Sequence, residues 1–457
     1  MATETLGDST IIIDLGLDRG EPETYASPTR STVPGWLGPL LVVVLVLISA
    51  TASAAPPVPV LSELLSLPFG PGDSYAVTDA GQLLAQTAGT LSSYDLADGA
   101  EQWEAGMLAP TYRLRTGGGV VLLRPAGLEL GEPKTTAIDL ATGATRWTRD
   151  GTVMTVAGAS TLLAIMGNRS VFTPTRRIEG PVESVDPATG ATLWRVNVPS
   201  TAVLSAVPGP AGQPRMLLVH DDQTMAVHDL DTGRLLASAA LPPASYGPKN
   251  PAISGGLIVL RHLVGFSAEI SAYDPVTLAL RWRRPDSGMS DAQPCGALTC
   301  LAGPYGVQAV DPATGAIRWY QPGWRSLEQR GNRLFAYTSP ELAGDPVAIA
   351  DPDTGRVLID LHGWRPLADT ASSGTGSSGT GGSSGTGGSS GTGGVLVTRV
   401  VAPGARTMVA VAHPGGAQPR LLADLPPGTG DCQAVPNRLI CRSTSGELIV
   451  WAYREKG

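Results

Sequence analysis

"VDPATGAIRW", Val310–Trp319, reads as the end of one strand, a tight turn, and a second strand closed by tryptophan. The Asp311 carboxylate can accept backbone N–H groups two residues on, and Pro312 presets φ for the turn. Gly315 supplies the positive φ that ends it. The preceding "GVQAV" has the pattern of a half-buried strand. The unit recurs as "YDLADGAEQW" (Tyr94–Trp103), "IDLATGATRW" (Ile138–Trp147), "VDPATGATLW" (Val185–Trp194), "HDLDTGRLLA" (His228–Ala237), "YDPVTLALRW" (Tyr273–Trp282) and "ADPDTGRVLI" (Ala350–Ile359). The leading aspartates, Asp95, Asp139, Asp186, Asp229, Asp274, Asp311 and Asp351, follow one another at intervals of 37 to 47 residues. Five of the seven units place tryptophan eight residues later, at Trp103, Trp147, Trp194, Trp282 and Trp319. A lone hairpin cannot bury a tryptophan, so these rings are expected to be structural and to pack on a neighbouring unit. Repeats of this length made of short antiparallel strands indicate propeller blades.

The "DPATGxxxW" unit resembles the pyrroloquinoline quinone (PQQ) type β-propeller repeat, over about Ser74 to Tyr453. An eighth, degenerate copy is "AHPGGAQPRLL", Ala412–Leu422, with His413 at the aspartate position. It lies 62 residues after Asp351; setting aside the 23-residue Gly/Ser/Thr insertion 372–394 leaves 39, one ordinary period. That insertion has no apolar residue to bury and is expected to loop out as flexible coil. The fold class is therefore all-β: a β-propeller of eight four-stranded blades over residues 74–457, with seven the next count. The resemblance implies that the last strands, ending in "GELIVWAYR", Gly446–Arg454, share a blade with those near Ser74–Tyr94.

Composition agrees. With 57 Gly and 39 Pro among 457 residues, long helical bundles are excluded. A net charge of −8 with no basic run argues against nucleic acid as a partner. Ahead of the repeats, Trp36–Ala55 is uncharged and long enough to cross a bilayer as a helix. Arg19 and Arg30 precede it and no Lys or Arg follows until Arg113, which places the N-terminus in the cytoplasm and the repeats outside. The expected organisation is a disordered cytoplasmic tail (1–34), a transmembrane signal anchor (35–55) and a linker (56–73). Small residues around Ala52 and Ala54 also suit a cleaved signal peptide, but a 34-residue acidic leader fits an anchor better. In the tail, "TIIIDLGL", residues 10–17, could add as a strand to a cytoplasmic partner.

The cysteines fall into two local pairs, and an oxidising compartment permits the disulfides Cys295–Cys300 and Cys432–Cys441. "VHDDQTMAVHDL" gathers His220, Asp221, Asp222, His228 and Asp229, but the spacing matches metal sites loosely and Asp229 is already a turn former. "RWRRPD", Arg281–Asp286, reads as a solvated edge, with an anionic partner as the alternative. Trp324 and Trp364 lie five residues beyond the tryptophan register and are expected on a rim, as partner anchors. The resemblance also raises quinoprotein dehydrogenases, which carry adjacent cysteines, calcium and an aspartate base. This chain has no adjacent cysteines and no motif for the other parts. The reading is a membrane-anchored, extracytoplasmic propeller that acts as a binding scaffold for a protein, polymer or small ligand, with no cofactor, metal or catalytic residue. The alternatives are a dehydrogenase-like enzyme and a transmembrane sensor.

Overall fold

The computed structural model describes residues 36, 39–44, 60–106, 108, 111, 114–123, 134–156, 158–166, 177–245, 251–265, 267–286, 288, 291–339, 346–369, 394–401, 406–416 and 418–453. The chain divides into two compact units, Met1–Val58 and Pro59–Gly457. In the first, residues 39–44 are helical, and among the described residues no helix is long and apolar enough to cross a membrane. The tail motif 10–17, most of the 35–55 span and residues 372–393 of the insertion lie outside the described residues.

The second unit is built of antiparallel strands that follow one another in chain order. Among the described residues they make eight hydrogen-bonded sheets, six of four strands, one of seven and one of five; dividing the seven-stranded sheet at its long shared strand, and setting aside the short fifth strand Ala368–Asp369, gives nine four-stranded units, numbered here as blades 1 to 9. Blade 1 comprises Ser74–Val77, Gln82–Thr87, Thr90–Asp95 and Glu101–Ala105, and blade 2 begins at Arg115–Gly117. Blades 3 and 4 share the 17-residue strand Thr192–Pro208, whose first half pairs with Arg177–Val185 and second half with Pro214–His220. Blades 5, 6, 7 and 8 begin at Ala252–Ser254, Asp291–Cys295, Ser326–Arg330 and Arg365–Pro366. Blade 9 comprises Thr429–Val435, Arg438–Ser443 and Glu447–Tyr453, completed by Leu61–Pro68.

Two expectations are corrected here. The last three strands do not join those near Ser74–Tyr94 but form a group of their own, so the described residues fall into nine four-stranded units where eight blades, with seven next, are expected. Their fourth strand is Leu61–Pro68, paired from Leu61↔Tyr453 to Pro68↔Glu447, and not a strand near Ser74–Tyr94. The segment assigned to the 56–73 linker thus holds the closing strand. The physical reason is its pattern: Leu61, Leu64, Leu65 and Leu67 give a strand that needs an apolar partner, which the blade 9 edge offers.

Among the described residues nine apolar clusters fill the gaps between successive blades, and one of them (Phe69, Leu83, Leu96, Val435, Ile440, Leu448, Val450) joins blade 9 to blade 1. The sheets therefore close into a ring. First strands of neighbouring blades meet near its centre, where Ala368 and Asp369 pair in parallel with Gln433 and Ala434. Antiparallel order puts the first–second and third–fourth turns on one face, the turn face. The second–third hairpins and the links between blades lie on the other, the connector face.

The repeat residues explain how blades adhere. In each of five interfaces the tryptophan indole N–H donates to the carbonyl of the residue just after the next blade's aspartate. The bonds are Trp103 to Leu140 (3.0 Å), Trp147 to Pro187 (2.9 Å), Trp194 to Leu230 (2.9 Å), Trp282 to Pro312 (2.8 Å) and Trp319 to Pro352 (3.1 Å). The same rings cover the turn glycines Gly143, Gly190, Gly233, Gly315 and Gly355. A Cβ at any of these would lie only 2.5–2.9 Å from a ring carbon, and each glycine has φ near +70°. Glycine is thus required twice over, by conformation and by space. Where blade 4 has Ala237 in place of tryptophan, the facing turn carries Leu278 in place of glycine; Leu278 keeps the positive φ of 58° and fills the gap. At the closing interface Leu64 abuts Gly99, and the Arg438 guanidinium donates to the carbonyls of Leu96 and Ala97. Leu96 follows Asp95, so Arg438 serves the carbonyl that tryptophan serves elsewhere.

A second rung lies two residues past the tryptophans: Arg149, Arg284 and Gln321 donate to the carbonyls of Gly190, Gly315 and Gly355 at 2.9–3.0 Å. Between blades 2 and 3, Arg149 also pairs with Glu183, which is 1% exposed and additionally held by Arg195 and by Thr192.

Trp324 and Trp364 are not on a rim. They are 6% and 8% exposed and sit in the clusters between blades 6 and 7 and blades 7 and 8. A link that returns from an outer strand to an inner one crosses the gap between two sheets, and a large ring there plugs the gap. Trp364→Ala should therefore lower stability by about 3–5 kcal/mol, like other large core truncations. Calorimetric melting beside Trp147→Ala checks this; an unchanged melting temperature would return Trp364 to the surface.

Candidate functional site

The repeat aspartates are turn formers. Asp139 Oδ1 accepts the N–H of Ala141 (2.9 Å) and Thr142 (2.8 Å), and Oδ2 pairs with Arg146 at 2.6 Å. Asp229, Asp274, Asp311 and Asp351 repeat the backbone bonds, and Arg281 and Arg318 repeat the ion pair with Asp274 and Asp311. Arg146, Arg281 and Arg318, beside Trp147, Trp282 and Trp319, are a signal of this ion pair legible in the sequence.

The Arg146 guanidinium, helped by Thr142 and Ala141, holds the Asp139 carboxyl down to about 2. Asp186, Asp229, Asp274, Asp311 and Asp351 are also held below the ordinary carboxylate range, by neighbouring threonines, backbone N–H groups and arginines. A carboxyl whose folded value is lowered stabilises the fold fully above its unfolded value, near pH 4, and loses that contribution as pH falls toward the folded value. Melting temperature should therefore stay flat from about pH 7 to 5 and fall steeply below about pH 4. Asp139→Asn should make that fall shallower; an identical acid limb would show that Asp139 is not linked to it.

Other candidate groups are likewise spent on structure. Arg281 pairs with Asp274 (2.5 Å), Arg283 with Glu269 (2.9 Å), and Arg284 reaches Gly315, so the "RWRR" patch is a solvated strand edge whose arginines are paired within the fold. His228 Nδ1 meets the Gly233 carbonyl at 3.0 Å, and Asp222 caps Thr224. His220 is buried at the end of its strand. The disulfides form as paired in the sequence reading. Each joins the first and second strands of a blade, Cys295–Cys300 in blade 6 and Cys432–Cys441 in blade 9.

A concavity of about 540 Å³ lies on the connector face of blade 1, lined by Gly72, Asp73, Gln86, Ala88, Gly89, Thr90 and Leu108. Three segments build it: the link from the closing strand, the second–third hairpin and the link to blade 2. Asp73 ties two of them together, its Oδ2 accepting Gly70 N–H at 2.6 Å and its Oδ1 accepting Ala88 N–H at 3.3 Å. Gln86 is buried and its Oε1 accepts Thr111 N–H at 2.9 Å. Ala88 has φ 48° and Gly89 φ 87°, the two positive values of a tight hairpin turn. Alanine there is strained, so Ala88→Gly should raise stability by about 0.5–1 kcal/mol, the left-handed penalty less glycine's entropy. Chemical denaturation measures it, and a lower midpoint would mean that the methyl is needed in packing. None of these lining residues stands out in the sequence, because they are ordinary types from separate segments.

The repeat resemblance is upheld. The model of the family described as outer membrane protein assembly factor BamB matches residues 178–322, which hold the turns of Asp186, Asp229, Asp274 and Asp311. No curated protein matches the chain. Among solved structures, BamB from Moraxella catarrhalis is 14% identical, over 86% of this chain and 100% of its own, with a TM-score of 0.41. A quinohemoprotein alcohol dehydrogenase from Pseudomonas putida is 14% identical, over 56% of this chain and 60% of its own, with a TM-score of 0.36. One from Comamonas testosteroni is 16% identical, over 56% and 61%, with a TM-score of 0.38.

Proposed function

We propose that this chain, whose repeat is of the PQQ-like β-propeller kind, is a non-catalytic binding scaffold. It is held outside the cytoplasm by its apolar N-terminal segment and engages a protein partner through the connector face. The observation that carries the reading is the division of labour between the two faces. On the turn face the carboxylates of Asp139, Asp311 and Asp351 are engaged within their own turns, whereas the connector face of blade 1 presents an open, mainly apolar concavity that holds the Asp73 carboxylate. A carboxylate held well below neutral pH is a poor proton carrier, which disfavours acid–base work by the repeat aspartates. The membrane anchorage rests on the charge pattern around residues 35–55.

Photo-crosslinking in cells tests this, with a benzophenone amino acid at Thr90 on the connector face or at Thr314 on the turn face. Specific adducts are expected at Thr90. Adducts confined to Thr314 would reverse the faces. Saturable PQQ binding with calcium and dye reduction by the purified protein would replace the scaffold with an enzyme.

A further inference from the structure

We infer that the blade 1 concavity takes a protonated amine or guanidinium group. This rests on the scaffold reading and names the chemistry of its contact. Among the described residues the lining offers acceptors and no cation: the Asp73 carboxylate and the Thr90 hydroxyl, with the buried Gln86 amide behind them holding Thr111 N–H. Asp73 is preset by its bonds to Gly70 and Ala88, and each of its oxygens keeps a further lone pair for an incoming donor. A strained non-glycine residue, Ala88, is held at the lip by that same carboxylate. Leu108 supplies an apolar wall on which the aliphatic stem of a lysine or arginine can lie. About 540 Å³ suits one such side chain or a small amine, not a folded segment. The net charge of −8 draws cations toward the protein as a whole. Charge-assisted bonds to a preset carboxylate are the strong kind. The group can come from a free small molecule or from a partner's side chain.

The test uses the full-length chain in detergent, titrated with n-butylguanidinium, n-butylammonium and neutral n-butanol and followed by saturation-transfer NMR and calorimetry. Both cations should saturate and butanol should not, and about 0.5 M NaCl should weaken the cations several-fold. Asp73→Asn should weaken binding by about tenfold or more. Asp73 also braces the hairpin, so Thr90→Arg is the second variant: it leaves Asp73 in place and should occupy the pocket with its own guanidinium. It should abolish binding with melting unchanged. A capped Ala-Arg-Ala peptide binding about tenfold tighter than butylguanidinium assigns the group to a protein side chain; equal or weaker binding assigns it to a free small molecule. Failure of both cations to saturate by about 20 mM, equal binding of butanol, or unchanged affinity in both variants overturns the assignment. If partner capture at Thr90 persists in that case, the scaffold reading stands and only the cation assignment falls.

Discussion

Removing residues 1–68 is expected to open the ring, while removing residues 1–59 leaves it closed. The longer truncation deletes the fourth strand of blade 9, bares the edge of Glu447–Tyr453 and takes Leu61, Leu64, Leu65 and Leu67 from two apolar clusters. Four half-buried leucines at roughly 1–1.5 kcal/mol each give a loss of about 5 kcal/mol before the ladder hydrogen bonds are counted. The loss does not stay local, because blade 9 with three strands no longer presents Leu64 to Gly99 of blade 1. The longer truncation should melt earlier, elute as larger species as its bare edge pairs with other copies, and become sensitive to protease near Tyr453. A peptide spanning residues 59–69, added in trans, should restore much of the lost melting temperature by strand addition. If the two truncations melt alike, Leu61–Pro68 is dispensable and the ring closes by blade contacts alone.

The second large effect is expected of Glu183→Ala. Glu183 is buried between blades 2 and 3. Burial alone would push its carboxyl up, but Thr192, Arg195 and Arg149 together outweigh that and hold it below its ordinary value. The alanine variant leaves the Arg149 guanidinium, 14% exposed, without its counter-charge. Breaking one side of a buried pair costs about 3–5 kcal/mol. Glu183→Leu combined with Arg149→Met should recover most of that, since an apolar pair of similar volume avoids the desolvation of both ions. Urea unfolding of the two single variants and the double gives the coupling. Additive losses would show that Arg149 and Glu183 do not act together, and that Arg149 acts through the Gly190 carbonyl instead.

Much of the architecture is legible in short residue patterns. Aspartate, glycine and tryptophan recur because each solves a local problem that every blade shares, and the seven regular turns mark the third and fourth strands of seven blades. The ninth blade escapes for two reasons. Its third strand, Glu447–Tyr453, carries no aspartate–glycine turn motif, and its fourth strand is Leu61–Pro68, at the opposite end of the repeat region. No local pattern can announce a pairing over that distance. Trp324 and Trp364 are buried rather than on a rim, and the sequence does not say so, because register says where a residue lies along a blade but not whether a connecting link runs over a sheet edge or between two sheets. The pocket escapes for a third reason: its carboxylate, amide and leucine come from three segments of blade 1 and its links, and none belongs to the repeat.

The docking of each tryptophan on the next blade's turn also bears on how such a chain can be rearranged by recombination. The blade is the architectural unit, but the matched pair is a fourth strand and the turn that follows it in the next blade. A crossover in a link between blades would join a tryptophan to an unmatched turn; Trp194 set against the turn of Leu278 would meet a leucine side chain where its ring needs a bare glycine. Ala237 set before a glycine turn would leave a void. A crossover in the few residues between a turn glycine and its own tryptophan, such as Gly190 to Trp194, keeps every ring with its partner. The heritable module is thus offset from the visible blade by one strand, and viable duplications should have their breakpoints in that window.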